Sequence, residues 1–80
     1  MKWHYIKDND YPQPREGKGD SDEFQCLVER KKGWFQMLYW NCYYECWDDE
    51  QGDDNECDKD QVIRWVSLDE ITNELNKTEA

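Results

Sequence analysis

The four cysteines are the residues of this chain best suited to chemistry, because four thiolates can hold a structural zinc ion. They are Cys26, Cys42, Cys46 and Cys57, and their spacing matches no common zinc module. On an extended strand, Cys42 and Cys46 would lie roughly 13 Å apart, whereas two thiolates on one zinc lie within about 4 Å of each other. We therefore predict free thiols that pack as small apolar side chains. A zinc-stabilised module is the alternative, and it requires a sharp turn between Cys42 and Cys46.

The other candidate catalytic groups do not favour an enzyme. A nucleophilic cysteine needs a nearby base, and no pattern connects the single histidine, His4, with any cysteine. Solvated carboxylates titrate normally and make poor acid–base pairs. A calcium loop counted back from Gly52 would put Trp47 at the first ligand position, which an indole cannot fill. We therefore predict no enzymatic activity and no cofactor.

The acidic tract, defined here as residues 45–60, carries most of the charge imbalance. Its nine acidic residues and one lysine account for −8 of the formal net charge of −10. Carboxylates at this density can take the place of phosphates in a basic groove, and neighbouring aromatic rings can act as anchors. A solvated loop that only confers solubility is the alternative. The predicted partner-binding residues are Tyr43, Tyr44, Glu45, Trp47, Asp48, Asp49, Glu50, Asp53, Asp54, Glu56, Asp58 and Asp60.

The elements that must position these residues form one small domain over residues 1–80. Aromatic and β-branched residues predict strands at Trp3–Ile6, Phe24–Glu29, Trp34–Trp40 and Gln61–Val66. Residues 43–47 either extend the third of these strands or form a new one. A loop over residues 8–23 holds both prolines, and turn residues predict an acidic loop over 48–60. We predict an α+β fold: a small antiparallel sheet of three to five strands with a short C-terminal helix over residues 68–76.

The C-terminal helix has a recognisable start signal. Ser67 and Glu70 fit a capping box, in which each side chain accepts a hydrogen bond from the backbone N–H of the other. Leu68, Ile71 and Leu75 follow at helical spacing and are predicted to pack on the sheet. The tryptophans predicted to be buried in the core are Trp34, Trp40 and Trp65.

Composition also restricts the environment and the partner. Residues 1–7 lack the apolar run of a signal peptide, and no apolar stretch is long enough to span a bilayer. We therefore expect a cytoplasmic protein with reduced thiols. The strongly negative charge disfavours direct binding to nucleic acid or to a membrane surface and favours a basic protein surface.

Several short motifs together resemble the domain-of-unknown-function family 551, whose small proteins are frequent in phages and prophages. The matching pieces are Trp3…Ile6, Tyr11-Pro12…Gly17, Cys26-Leu27-Val28, Gly33-Trp34…Tyr39-Trp40 and Val62 to Leu68. The terminal proline-rich motif of that family is replaced here by residues 67–71, and the cysteine-rich acidic insert is unusual. The resemblance implies a phage protein with a small β-rich fold, acting in the bacterial host cytoplasm. It offers no catalytic residue.

Charge placement and this resemblance together suggest a small phage-associated binding protein. In the most concrete form of the hypothesis, it inhibits a host nucleic-acid-binding defence protein such as a nuclease, as an anti-CRISPR does, by presenting the acidic tract to a basic groove. The two alternatives are the zinc-stabilised interaction module and a phage protein whose acidic loop only confers solubility.

Overall fold

The computed structural model describes residues 1–50 and 55–78, which form one antiparallel sheet and a C-terminal helix. The elements are β1 His4–Tyr5, β2 Glu23–Lys31, β3 Trp34–Asn41, β4 Cys46–Asp48, β5 Asn55–Asp58, β6 Arg64–Ser67 and α1 Leu68–Thr78. The strand order is β1-β6-β2-β3-β4-β5, and all neighbouring strands are antiparallel. The α+β class is confirmed, but this part of the chain forms six strands rather than three to five.

The additional strand, β5, comes from the segment predicted to be an acidic loop over residues 48–60. That prediction is wrong in part, because β4 ends at Asp48 and β5 occupies Asn55–Asp58. In the β4–β5 pair, Cys57 lies opposite Trp47 and Asp58 lies opposite Cys46. Pairing with β4 thus outweighs the low strand propensity of Asn and Asp. Residues 51–54 of the predicted loop lie outside the described residues.

The segment that connects β1 to β2 contains two 3-10 turns, Ile6–Asp8 and Gly19–Ser21. β1 is shorter than the predicted strand because Ile6 already belongs to the first turn. The long loop is closed by Arg15, whose backbone N–H and guanidinium each donate to the buried Asp22 carboxylate at 2.8 Å. This contact fixes the loop immediately before β2 begins.

The hydrophobic core lies on one face of the sheet. The β2–β3 register places Phe24 opposite Trp40 and Cys26 opposite Leu38, and the rings of Trp40 and Trp47 meet at 4.8 Å. Burial of Trp40 and Trp65 is confirmed, at 2% and 6% exposure. The prediction that Trp34 is buried is wrong, because Trp34 begins β3 beside a solvent-facing turn and is 47% exposed.

The capping box at the start of α1 is confirmed. The Glu70 N–H donates to Ser67 Oγ at 3.1 Å, and the Ser67 N–H donates to Glu70 Oε2 at 3.0 Å. The helix contacts β2 and β6, but Leu68 and Leu75 are 41% and 60% exposed. Leu68 and Leu75 therefore do not pack fully on the sheet as predicted, whereas Ile71 is half-buried. Within residues 1–50 and 55–78, no helix is both long and apolar enough to cross a bilayer.

Candidate functional site

The turn between β3 and β4 is organised by the side chain of Asn41. Its Oδ1 accepts hydrogen bonds from the backbone N–H groups of Tyr43 and Tyr44, both at 3.0 Å. Its backbone carbonyl accepts the N–H of Glu45 at 2.8 Å. Glu45 adopts a left-handed conformation with φ of 52°, which non-glycine residues adopt only when the surroundings enforce it. The turn therefore has one well-defined shape.

This turn holds two tyrosines in solvent. Tyr43 and Tyr44 are 69% and 72% exposed, and their rings meet edge to face with centroids 4.8 Å apart. The preference of aromatic rings for this arrangement stabilises the pair. Since Asn41 fixes the backbone of both residues, the rings are presented in a restricted geometry. Exposed, ordered aromatic side chains of this kind are typical of interface anchors.

Three exposed carboxylates flank β4 in the chain: Glu45 adjoins the two tyrosines, whereas Asp49 and Glu50 follow the strand. Glu45 and Asp20 both line a shallow cavity of ≈ 150 Å³ that reaches Trp40 and Cys42. Burial, assisted by the negative charges of Asp22 and Asp20, raises the pKa of Cys42 to about 11. We name the exposed group formed by Tyr43, Tyr44, Glu45, Asp49 and Glu50 the acidic tip.

Two of the predicted partner-binding residues are not on this surface. Trp47 is fully buried and Asp48 is 1% exposed, because β4 pairs with strands on both sides. The Trp47 indole N–H donates to the Lys59 carbonyl at 3.4 Å, and Asp48 accepts from Asn41 Nδ2 at 3.2 Å. Asp48 supports the turn through Asn41, and Trp47 packs against Trp40 in the core. Both residues were predicted to bind a partner, and that prediction is wrong because they are buried.

The remaining carboxylates of the acidic tract differ in their surroundings. Glu56 meets Arg30 at 3.5 Å, and Asp60 accepts a hydrogen bond from the Tyr11 hydroxyl, which raises the pKa of that tyrosine. Asp58 is exposed on β5 opposite Cys46. The predicted residues Asp53 and Asp54 lie outside the described part of the chain. The acidic tip therefore contains only three carboxylates of the acidic tract, together with the two tyrosines that precede it.

The four cysteines are buried free thiols: Cys26, Cys46 and Cys57 lie on β2, β4 and β5, and Cys42 lies in the turn after β3. Burial raises the pKa of Cys46 to about 11, and it also raises the pKa values of Cys26 and Cys57. These thiols are therefore protonated at neutral pH and are poor nucleophiles. A sharp turn does separate Cys42 from Cys46, yet no three His, Cys, Asp or Glu side chains group as a metal set among the described residues. The metal-free state stays a prediction.

A histidine cluster was not found by sequence reasoning. His4 places Nδ1 at 2.8 Å from Asp10 and Nε2 at 2.8 Å from Glu70, while its ring stacks on Trp65 at 4.2 Å. Burial alone lowers the pKa of His4, but hydrogen bonds to Glu70 and Asp10 outweigh it and the pKa is raised. The imidazolium form connects β1 to the start of α1. This cluster clamps three segments together and is separate from the acidic tip.

The role of Asn41 was also missed. An asparagine at the end of a strand often accepts hydrogen bonds from backbone N–H groups two or three residues ahead, so this signal was present in the sequence.

Comparison of the chain with protein-family models, with curated proteins and with solved structures finds no match. The resemblance to family 551 stays a prediction, and function must be argued from the geometry.

Proposed function

We propose that this chain is a binding protein that docks its acidic tip on a basic groove of a nucleic-acid-binding protein. The observation that carries the proposal is the pair of exposed tyrosines, which Asn41 fixes next to the exposed Glu45. A loop that served only solubility would have no use for two ordered aromatic rings in water. The rings are suited to anchoring, and the carboxylates are suited to interacting with Arg and Lys.

Preorganisation supports the same function. Binding normally costs free energy to order the side chains and loops of an interface. At the acidic tip much of that ordering is already present, because Tyr43 and Tyr44 have fixed backbones and contact each other. The nearby negative charge accelerates encounter with a cationic surface, and this effect weakens as salt screens the charges.

The resemblance to family 551 bears on the identity of the partner. If the chain is a phage protein, a basic groove in the host cytoplasm belongs most naturally to a nuclease or another nucleic-acid-binding defence protein. We propose that the chain inhibits such a protein, as an anti-CRISPR does, by occupying the groove where phosphates bind. This part of the proposal rests on short motifs, whereas the docking surface rests on contacts in the fold.

The experiment compares two variants that lose the same charge. The first carries Glu45→Gln, Asp49→Asn and Glu50→Gln at the acidic tip, and the matched control carries Asp8→Asn, Glu16→Gln and Glu74→Gln at exposed sites elsewhere. A tagged chain first recovers partners from host lysate at low and high salt. Each recovered protein is then titrated with the parent and both variants, with and without its own nucleic acid.

We expect the tip variant to associate more slowly than the control variant, with a smaller change in dissociation rate, because electrostatic steering acts on association. We also expect the partner's nucleic acid to compete with the parent chain. A separate Tyr43→Ala/Tyr44→Ala variant should dissociate faster, since it loses both anchors. Equal binding by the tip and control variants at low salt would reject the proposal and leave the acidic tract with a solubilising role.

A further inference from the structure

The end of β3 opposite the acidic tip carries a cluster of cations and exposed rings. The hairpin between β2 and β3 contains three consecutive basic residues, Arg30, Lys31 and Lys32. Trp34 and Phe35 follow at the start of β3 and are 47% and 44% exposed. We name this group of five residues the basic tip. The basic tip is positively charged, although the chain as a whole has a formal net charge of −10.

The basic tip has a rigid foundation. Gly33 adopts a left-handed conformation with φ of 82° in the turn, and its N–H donates to Glu29 Oε2 at 2.8 Å. The other oxygen of Glu29 accepts from Arg64 Nε at 2.6 Å. A register shift between Glu29 and Lys31 bends the end of the hairpin. The cations and rings of the tip are therefore presented on an ordered turn.

Cations and aromatic faces alternate around this turn. The Arg30 guanidinium and the Lys31 ammonium lie 5.2 and 5.8 Å from the centre of the Trp34 ring. On the other side of the sheet, Arg64 lies 5.7 Å from the Phe35 ring. Since successive residues of a strand point to opposite faces, a linear ligand crossing the hairpin end meets a ring and a cation on each side. Lys31 and Lys32 are exposed between the two sides, and neither forms an ion pair within residues 1–50 and 55–78.

We propose that the basic tip binds single-stranded nucleic acid. Proteins that bind single strands without sequence preference combine cations that follow the phosphates with aromatic rings on which bases stack. Both components are present here within a few residues, and the rings are accessible. An acidic peptide would engage Lys31 and Lys32 through its carboxylates, but it would cover Trp34 and Phe35 only if it also carried aromatic side chains at matching positions. The combination therefore favours a polymer of phosphates and bases.

The net charge of −10 does not prevent this interaction, because Glu29 and Glu56, which contact the basic tip, are each paired with an arginine: Glu29 with Arg64 and Glu56 with Arg30. The eight residues of β3 separate the basic tip from the turn of Tyr43 to Glu45 by roughly 23 Å. Asp49 and Glu50 lie nearer to it, because β4 runs back along β3 and places Asp48 opposite Tyr39. The electrostatic screening length at physiological salt is about 8 Å, so roughly three screening lengths lie between the two ends. The whole-chain charge that predicted no nucleic-acid contact is a poor guide to the local field, in which Lys31, Lys32 and the paired Arg30 dominate.

The experiment measures the fluorescence anisotropy of a short fluorescein-labelled oligothymidylate, and of its oligouridylate counterpart, titrated with the full chain. We expect saturable, salt-dependent binding. A Trp34→Ala variant should bind roughly tenfold more weakly, as the loss of one stacked base predicts, and Trp34→Phe should recover most of that loss. A Lys31→Gln/Lys32→Gln variant should reduce the slope of log affinity against log salt by about 1.4.

The matched control is Lys18→Gln/Lys77→Gln, which removes the same charge from exposed lysines elsewhere. It should bind as the parent does, and an equal loss in both double variants would overturn the proposal, as would a lack of saturable binding at low salt. Competition by oligoglutamate as effective as that of unlabelled oligothymidylate would assign the basic tip to an acidic protein instead. Salt-sensitive self-association of the chain in sedimentation, abolished by Lys31→Gln/Lys32→Gln, would assign it to a second copy. A difference between the DNA and RNA arms would identify the natural ligand.

Discussion

The acidic tip and the basic tip lie at opposite ends of β3 and are built by the same device. At each end, a side-chain oxygen of a strand residue accepts backbone N–H groups of the turn that follows or adjoins it. Asn41 Oδ1 collects the N–H groups of Tyr43 and Tyr44, and Glu29 Oε2 collects the N–H of Gly33. Both turns then expose two aromatic residues to solvent. The two turns are thus stabilised by the same kind of hydrogen bond, but their exposed side chains carry opposite charges.

The difference between the two acceptors shows how charge is matched locally. At the acidic tip the acceptor is a neutral amide, so it adds no negative charge beside Glu45 and Asp49 and can donate to the buried Asp48. At the basic tip the acceptor is a carboxylate, which also binds Arg64. The residue that shapes each turn is thus distinct from the exposed residues that determine its charge. Exposed charges can therefore be altered at either end without removing the support of the turn.

The largest expected effect is a difference in stability between tryptophan substitutions at the two ends of β3. Trp47 lies beneath the acidic tip and is fully buried, whereas Trp34 lies on the basic tip and is half exposed. Trp47→Ala should lower the free energy of unfolding by about 3–5 kcal/mol, as large-to-small core substitutions do. Trp34→Ala should cost less than about 1 kcal/mol, since it loses exposed contacts with Arg30 and Lys31. Urea denaturation followed by circular dichroism measures both values.

A Trp47→Phe variant keeps the comparison informative if Trp47→Ala does not fold. It retains an aromatic ring against Trp40 and should lie between the parent and the alanine variant in stability. Similar losses for Trp34→Ala and Trp47→Phe would contradict the view that one end rests on the core and the other projects from it.

Local patterns in the sequence were sufficient for much of the fold. The hairpin of β2 and β3, the last strand and the capping box of Ser67 and Glu70 depend on neighbouring residues, and all three were predicted. β5 was missed because its stability depends on pairing with β4 and not on its own composition. The exposure of Trp34 was missed for a related reason: strand propensity does not indicate whether the end of a strand extends beyond the core.

Less of the candidate site could be predicted than of the fold. The acidic tract and the two tyrosines that precede it are visible in the sequence. The burial of Asp48, however, depends on the amide of Asn41 on the neighbouring strand. The ion pair between Glu29 and Arg64 joins two residues that are far apart in the chain. Charge counted along the sequence identified the acidic end. The basic residues Arg30 to Lys32 are also consecutive in the sequence, but their contacts with the Trp34 ring became visible only in the folded arrangement.

The next effect concerns the acceptor at the acidic end. Asn41→Ala removes the partner of two turn N–H groups and leaves the buried Asp48 without its amide donor. An unsatisfied buried polar group typically costs about 1–3 kcal/mol, so we expect a loss in that range together with weaker binding by the tip. The control is Gln36→Ala on the same strand, which loses one hydrogen bond from Arg30 and should cost less than about 1 kcal/mol. If the two variants lost equal stability, Asn41 would have no special role.

The smallest expected effect is a difference in pH response between the two acceptors. The Gly33 N–H and the Arg64 guanidinium hold the pKa of Glu29 below its ordinary value of 4.5. The stabilisation from this carboxylate is therefore present in full above pH 4.5 and is lost as the pH falls through the lower pKa of the folded state. Asn41 does not titrate. In an NMR hydrogen-exchange titration, the Gly33 amide should lose protection in acid while the Tyr43 and Tyr44 amides, which are held by Asn41, keep theirs over the same range. A Glu29→Gln variant keeps an oxygen acceptor and should abolish the Gly33 transition. A common midpoint for the amides of both turns would indicate unfolding of the whole sheet, and it would contradict the independence of the two ends.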